Sequence, residues 1–429
     1  MADQRLALGL LGCGGMGQRH IQGLAELHRA GLSPFDLVAV CDAQPQAAAH
    51  AADVAEQELG RRPAICHDLN DLLSGATGRH VDAVDLVTDA NTHHTLGCAV
   101  LQAGKHVMCE KPLGLTVRAC RLLVETAERY GVVLATAENY RRDPINRMLK
   151  AVLDSGAIGE PRMVLQESVG GGRSIAITPW RHLKERGGIV LDMGVHYTDI
   201  LRYLIGPIER ISGRVALFEP LRYPTPLNEY MTRFYGSTNA LATEPMQATA
   251  EDTGVGAITF AQGALGHWLL SQAGHGQNLF LRRIYGSEGS LDAPSDRSGR
   301  PVRLYGGRSG STAPDGAALT EADIAALVPD FALDEVTARL FGAPVLASYD
   351  RPFEVTDRSL LALELEDFGR AIRDGRAPEV DGLGGLEAVA AVYAFFESSA
   401  LGREVTLDEV VSGATAPYQH TIDAALGLA

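Results

Sequence analysis

The turn Gly12-Cys13-Gly14-Gly15-Met16-Gly17 constrains this chain more than any other feature. It follows the apolar run Leu6 to Leu11 and leads into a helical pattern from about Met16 to Ala30. In the pattern GxGxxG, Gly12 permits a tight turn, Gly14 lets phosphates approach the backbone, and Gly17 lets the helix close on the strand. The amides of Gly15 and Met16 open that helix, whose positive end favours a pyrophosphate. With 47 glycines in the chain, spacing alone proves little. Context decides, because Asp42 ends the next apolar run, Leu37 to Cys41, where an acid can accept hydrogen bonds from a ribose diol. Its charge repels a 2′-phosphate, and Ala43 and Gln44 supply no offsetting cation, which favours NAD over NADP. The competing reading of Asp42 is a helix cap before Gln44.

Short apolar runs go on alternating with helical patterns as far as residue 138. Further strands are expected at Ala64 to Cys66, Val81 to Thr88, His106 to Cys109 and Val132 to Ala135, with a helix from Val117 to Tyr130. Such alternation predicts a parallel, doubly wound sheet whose ligands lie at the carboxyl ends of its strands. Beyond residue 138 the pattern changes. Strands are expected at Arg162 to Val169, Ile208 to Phe218, Val255 to Phe260, Ala264 to Ser271 and Leu279 to Tyr285, with turn signals between them. The fold expected is α/β: a Rossmann domain over 1–138, then over 139–429 an α+β domain with an open, mostly antiparallel sheet. An uncovered sheet invites a second subunit, so a homodimer or homotetramer is expected. Long loops are expected over 219–247 and 292–330, and the C-terminal helical pattern, Leu386 to Ala400, is expected to pack in the core, with the last helices returning to the first domain.

Composition narrows the partners. Lys and Arg number 38 against 53 Asp and Glu, a formal charge of −15 that disfavours nucleic acid and anionic membranes. No apolar run reaches a bilayer-spanning length, and Met1 to Gly17 lacks the basic start of a secretory leader, so a cytoplasmic protein is expected. The six cysteines form no CxxC pair and read as buried thiols rather than as disulfides or a metal site. A small-molecule enzyme remains.

Two segments carry chemistry. Glu110-Lys111-Pro112 ends the fifth strand, where Pro112 favours extended backbone and the sheet would place Lys111 at the ligand-bearing edge. A cation there stabilises a developing alkoxide. Lysine is scarce in this arginine-rich chain, which adds weight to Lys111; the plainer reading is a surface pair with Glu110. The second segment, from about Ile189 to Leu204, has helical spacing and places Asp192, His196, Asp199 and Tyr203 on one face. A carboxylate one turn from an imidazole can fix its tautomer and raise its basicity, as a general base requires. An ordinary Asp–His surface pair would show the same spacing, and a metal triad is a third reading that lacks further clustered His or Cys ligands. Trp180 and Arg181, just before this helix, are candidates to line a sugar pocket, Trp180 being equally suited to the core. Arg173, Tyr230 and His275 are further candidates.

Taken together, the glycine turn, Glu110-Lys111-Pro112 and the Gly187-Gly188…Asp192-x-x-x-His196 helix resemble the glucose–fructose oxidoreductase, inositol dehydrogenase and rhizopine-catabolism (Gfo/Idh/MocA) family. The likeness continues through Glu251-Asp252-Thr253, Tyr285-Gly286-Ser287-Glu288-Gly289 and the helix starting near Leu363, while Glu138 to Pro144 resembles the stretch joining the family's domains. The resemblance implies a two-domain NAD(P)-dependent oxidoreductase of sugars, cyclic polyols or their derivatives, glycosides included. In it Lys111, Asp192 and His196 are the catalytic group: His196 accepts the hydroxyl proton, Asp192 orients His196 or the substrate, and Lys111 stabilises charge. It also implies that Thr88, Asn91, His94, Glu110, Lys111 and Asn139 join the cofactor site, and that Lys111, Trp180, Arg181, Asp192 and His196 meet the substrate. Ala90 departs from the family, which usually has proline there, and that bears on the loop under the nicotinamide ribose. The same parts would serve a redox-neutral lyase or glycosidase that retains NAD; a non-catalytic NAD or sugar sensor is the reading from outside enzymology.

Overall fold

The computed structural model describes residues 5–75, 80–226, 229–235, 243–306 and 319–428. Strands β1 (Leu6–Leu11), β2 (Phe35–Cys41), β3 (Ala64–Cys66), β4 (Ala83–Leu86), β5 (His106–Glu110) and β6 (Leu134–Ala137) form a six-stranded parallel sheet, ordered β3-β2-β1-β4-β5-β6. Every residue of β4 and β6 is buried, as a sheet covered on both faces requires. Helices α1 (Gly15–Ala30), α2 (Pro45–Leu59), α3 (Leu69–Leu73), α4 (His93–Gln102) and α5 (Val117–Tyr130) make the crossovers. The strand order reverses between β1 and β4, and the crevice belongs at that point, outside the carboxyl ends of the strands. Strand β6 begins two residues later than Val132 and ends at Ala137, so Glu138 emerges directly at that edge.

The chain continues through α6 (Pro144–Asp154), β7 (Pro161–Gly171), α7 (Ile189–Ile205), β8 (Ile208–Ala216), β9 (Leu221–Arg222), α8 (Glu229–Tyr235), β10 (Met246–Gln247), β11 (Thr253–Phe260), β12 (Leu265–Gly274), β13 (Leu279–Gly286), β14 (Gly289–Ala293) and β15 (Arg303–Gly306). It closes with α9 (Glu321–Ala326), α10 (Glu335–Phe341), α11 (Phe353–Asp374), α12 (Gly382–Leu401), β16 (Val405–Thr406), α13 (Leu407–Val411) and α14 (His420–Ala425). The second sheet has eight strands in the order β15-β14-β13-β7-β12-β11-β8-β16. All its pairs are antiparallel except β7 with β12, so the sheet is mixed.

The stretches 219–247 and 292–330 are not plain loops. Their described parts carry the β9–β10 pair, α8, β15 and α9, elements of two to seven residues, too short to show a periodicity in sequence. Residues 227–228, 236–242 and 307–318 of these stretches lie outside the described residues.

The second sheet buries one face under α7 and α12. Trp268 of β12 is fully buried and stacks on Phe395 of α12 with centroids 4.5 Å apart. Gly194 leaves room for that contact, since a Cβ there would sit 3.1 Å from Val392 and 3.4 Å from the Trp268 ring. Helix α12 also touches α5 and β6 of the first sheet, and α11 lies along α1. The last third of the chain therefore clamps the first domain onto the second, and α7 is held at the mouth of the crevice.

Candidate active site

The glycine turn is shaped to receive phosphates. Gly12 has φ +103°, and a Cβ on it would lie 2.5 Å from the Val87 carbonyl oxygen. A Cβ at Gly17 would meet the Gly12 carbonyl oxygen at 2.2 Å, so glycine is what lets α1 close on β1. Gly14, by contrast, faces open space, with nothing within 4 Å of such a Cβ. Helix α1 opens with no side-chain cap and no acid in its first turn, which leaves the amides of Gly15 and Met16 to an external anion. Phe234 and Tyr235 of α8 wall the turn on the Gly15 side.

Asp42 follows β2, and its carboxylate is engaged by two backbone amides. One carboxylate oxygen accepts from the Cys13 amide at 2.8 Å and the other from the Gln44 amide at 2.8 Å. Each oxygen keeps a lone pair, and the side chain is partly exposed, so the carboxylate can still take a ribose diol. Asn91 and Asn139, at the carboxyl ends of β4 and β6, each bury a carbonyl oxygen with no hydrogen-bond partner among the described residues. An open phosphate cradle, an acid for the ribose and two orphaned amide oxygens at one sheet edge fit a dinucleotide. We expect Asp42→Ala to weaken NAD binding by roughly tenfold or more, the cost of a lost charged hydrogen bond, with turnover at saturation little changed. Titration of NADH fluorescence measures this; an unaltered dissociation constant would remove Asp42 from the ribose site.

Not every expected residue reaches the crevice. Thr88 follows β4, its hydroxyl 2.8 Å from that of Thr92, and Ala90–Thr92 form a short helical turn. Glu110 is withdrawn into the core, with His20 Nε2 3.5 Å away and His20 Nδ1 2.8 Å from Asp85. His94 has Thr95 3.2 Å away and the C-terminal residues Asp423 and Leu426 around it. Arg173 and His275 pair with Glu219 on an exposed surface, and the Tyr230 side chain lies outside the described residues.

Lys111 pairs with Asp192 and not with Glu110. Its ammonium donates to Asp192 Oδ1 at 3.0 Å and to the Asp192 carbonyl at 3.1 Å, which ties β5 to α7. Arg181 donates from Nε to the other carboxylate oxygen at 3.0 Å, and its guanidinium lies 4.3 Å from the Trp180 ring centroid. Trp180 is partly exposed and lies against Gly187, where a Cβ would come 2.6 Å from the ring. Burial opposes the charge on Asp192, yet Lys111 and Arg181 hold its carboxyl far below the usual carboxylate range. Asp192 is thus an ionised anchor for two cations.

One expectation needs correcting. The carboxylate on His196 is Glu138, not Asp192: Nδ1 lies 2.7 Å from Glu138 Oε2 and 2.9 Å from Oε1. Lys111 and Arg181 occupy Asp192, so it does not orient the imidazole. Burial raises the Glu138 carboxyl, but His196 outweighs it and the net shift is downward, which keeps the group ionised near neutrality. The Tyr140 amide also donates to Glu138, at 3.0 Å, and the Tyr140 ring stacks on the imidazole. Glu138 and Lys111 line one small cavity with Thr136, Val195 and Asp199, so the amine and the imidazole's carboxylate do converge.

In the sequence Glu138 stands out only as part of the joining stretch Glu138 to Pro144. The signal that could have found it is positional: an acid directly after the last parallel strand stands at the ligand edge. No disulfide joins the six cysteines, and burial pushes thiols such as Cys41, raised to about 12, out of the reactive range. No helix among the described residues is long and apolar enough to cross a membrane.

Comparison with known proteins shows the family and the fold. Residues 6–138 match the model of an oxidoreductase family with an NAD-binding Rossmann fold, and residues 146–292 match the GFO/IDH/MocA C-terminal domain. A levoglucosan dehydrogenase of Pseudarthrobacter phenanthrenivorans is 28% identical over 297 residues, covering 67% of this chain and 73% of its own. A myo-inositol 2-dehydrogenase of Thermotoga maritima is 27% identical over 77% of this chain and 81% of its own. Among solved structures, levoglucosan dehydrogenase in complex with NADH superposes with a TM-score of 0.74 at 22% identity, covering 94% of this chain and 99% of that one, a likeness of fold.

Proposed function

Because the chain belongs to the GFO/IDH/MocA family of oxidoreductases, we propose that it oxidises a secondary hydroxyl of a sugar, glycoside or cyclic polyol, with Lys111, Asp192 and His196 as its catalytic group. It is an NAD-dependent dehydrogenase of CH–OH groups. The observation that carries the proposal is the meeting of Lys111, from the end of β5, with α7, where Asp192 and His196 lie one turn apart.

NAD, when bound, supplies the nicotinamide carbon that accepts hydride. Gly14, Gly15 and Met16 would hold its pyrophosphate, Asp42 its ribose, and Asn91 and Asn139 would meet its remaining polar groups. Glu138 accepts a hydrogen bond from the Nδ1–H of His196, which leaves Nε2 as the acceptor for the substrate hydroxyl proton. Asp192 holds the Lys111 ammonium in place, where it steadies negative charge on the carbinol oxygen as the proton leaves. Arg181 neutralises the second oxygen of Asp192 and, with the Trp180 face beside it, forms a wall suited to a pyranose or cyclitol ring.

A panel of sugars, cyclitols and glycosides incubated with NAD and read at the NADH absorbance tests this reading. Accumulating NADH with one such compound supports it. Product forming without NADH would overturn net hydride transfer.

Self-association is proposed from the second sheet. Opposite the face covered by α7 and α12, cross-strand rows run Leu265–Met163–Tyr285 and Leu269–Glu167–Leu281, and Leu265 and Met163 are 57% and 47% exposed. The row between them, His267–Leu165–Arg283, is mixed, and a sheet face with exposed apolar side chains at Leu265 and Met163 is expected to be covered by a second copy. Sedimentation equilibrium should therefore return two or four times 45.7 kDa, and Leu265→Glu should shift the population towards monomer. A parent mass equal to one chain would refute this.

A further inference from the structure

We propose that Tyr140, braced by Arg297, is a positioning residue for His196, and that Asp357 fastens this brace to the helix that follows the glycine turn. The inference rests on His196 being the proton acceptor.

An imidazole at the end of a side chain has two freedoms to lose: which edge faces inward, and the plane of its ring. Glu138 removes the first by engaging Nδ1 at 2.7 Å. Tyr140 removes the second, its ring lying 4.2 Å from the imidazole, centroid to centroid, with only 6° between the planes. The Tyr140 amide also donates to Glu138 at 3.0 Å, so one residue steadies both the ring and the carboxylate that holds it.

Something must in turn hold Tyr140. The Arg297 guanidinium lies 5.2 Å from the Tyr140 ring centroid and 5.0 Å from that of Phe353. Arg297 adopts φ +62°, a conformation that residues with a side chain seldom take and that its surroundings must enforce. The enforcing contacts are its amide, which donates to Asp143 at 2.8 Å, and its Nη1, which donates to Asp357 Oδ1 at 3.2 Å. Asp357 on α11 is almost fully buried and also accepts from Arg19 Nε of α1 at 2.9 Å. Arg19 in turn touches the sulfur of Met16 in the glycine turn. A continuous line of contacts thus runs from the dinucleotide turn through Arg19, Asp357, Arg297 and Tyr140 to His196. It keeps the base in register with the cofactor site across the joint between two domains.

The test compares Tyr140→Leu, Tyr140→Phe and Arg297→Leu with the parent, using the compound that forms NADH in the panel above. Because a ring face does the work, Tyr140→Leu is expected to lower kcat at least about tenfold, whereas Tyr140→Phe stays near the parent. The dissociation constant for NADH and the KM for the sugar or cyclitol should move little in either. With NADH bound, the imidazole proton resonances of His196 should lose their ring-current displacement in the leucine variant and keep it in the phenylalanine variant. Should Tyr140→Leu fail to fold, Arg297→Leu carries the same expectation for kcat and for the resonance. An unchanged kcat in a folded Tyr140→Leu variant overturns the brace, as do equal losses in the leucine and phenylalanine variants. If His196→Asn itself leaves kcat unchanged, the base assignment falls, which is a different outcome from a failed brace.

Discussion

Replacing His196 by alanine is expected to slow turnover by roughly two to four decades, the range that a positioned general base contributes, while NAD binding stays close to that of the parent. The separation follows from geometry. His196 stands on α7, held by Glu138 and Tyr140, whereas the pyrophosphate cradle is built on α1 from backbone alone. The imidazole leaves a buried Glu138 behind it, so some stability will be lost, and a melting curve should accompany the kinetics. Glu138→Gln is the informative companion. It keeps the shape but loses the charge that favours an Nδ1–H tautomer, so turnover should fall by less than in His196→Ala. A parallel loss of NAD affinity and turnover in His196→Ala would mean that the histidine serves binding, and the roles given above would fail.

The second large effect is expected at Lys111. Lys111→Met keeps most of the stem and removes the ammonium, and single-turnover hydride transfer should fall by roughly two to three decades, as when a donor to a developing oxyanion is deleted. The fold should survive, because Asp192 retains Arg181 as its second cation at 3.0 Å. That remaining partner also keeps Asp192 ionised, so the variant tests loss of the amine and not a change in the carboxylate's protonation. If KM rises while kcat holds, Lys111 binds the ground state and contributes nothing specific to the transition state.

How legible all this was depends on the distance over which each feature is encoded. The first strand, glycine turn and first helix are a local pattern, and α7 begins at Ile189 where its spacing predicts. The five central strands of the second sheet were visible as alternating runs, although the parallel pairing of β7 with β12 was not, because register between strands about a hundred residues apart leaves no local trace. Short elements such as α8 and β15 were lost for want of length. At the site, Asp192 and His196 were found together from four-residue spacing, yet that same spacing suggested the wrong partnership. Side chains one turn apart can touch, but each turned to a stronger partner supplied by the sheet edge: Lys111 for the acid, Glu138 for the base. Local periodicity says which residues share a face and is silent on what that face meets.

The fit of α11 against α1 bears on how such a chain can be taken apart. Gly23 of α1 has no room for a Cβ, which would lie 2.8 Å from that of Leu361, and Gly369 of α11 would meet Pro34 at 2.4 Å. The nucleotide-binding half is thus moulded to a helix encoded more than 300 residues downstream. A chimaera that grafts the first 138 residues onto another dehydrogenase, or expresses them alone, strips off that complementary surface; a transplant that carries residues 353–401 along with them brings both sides of the joint.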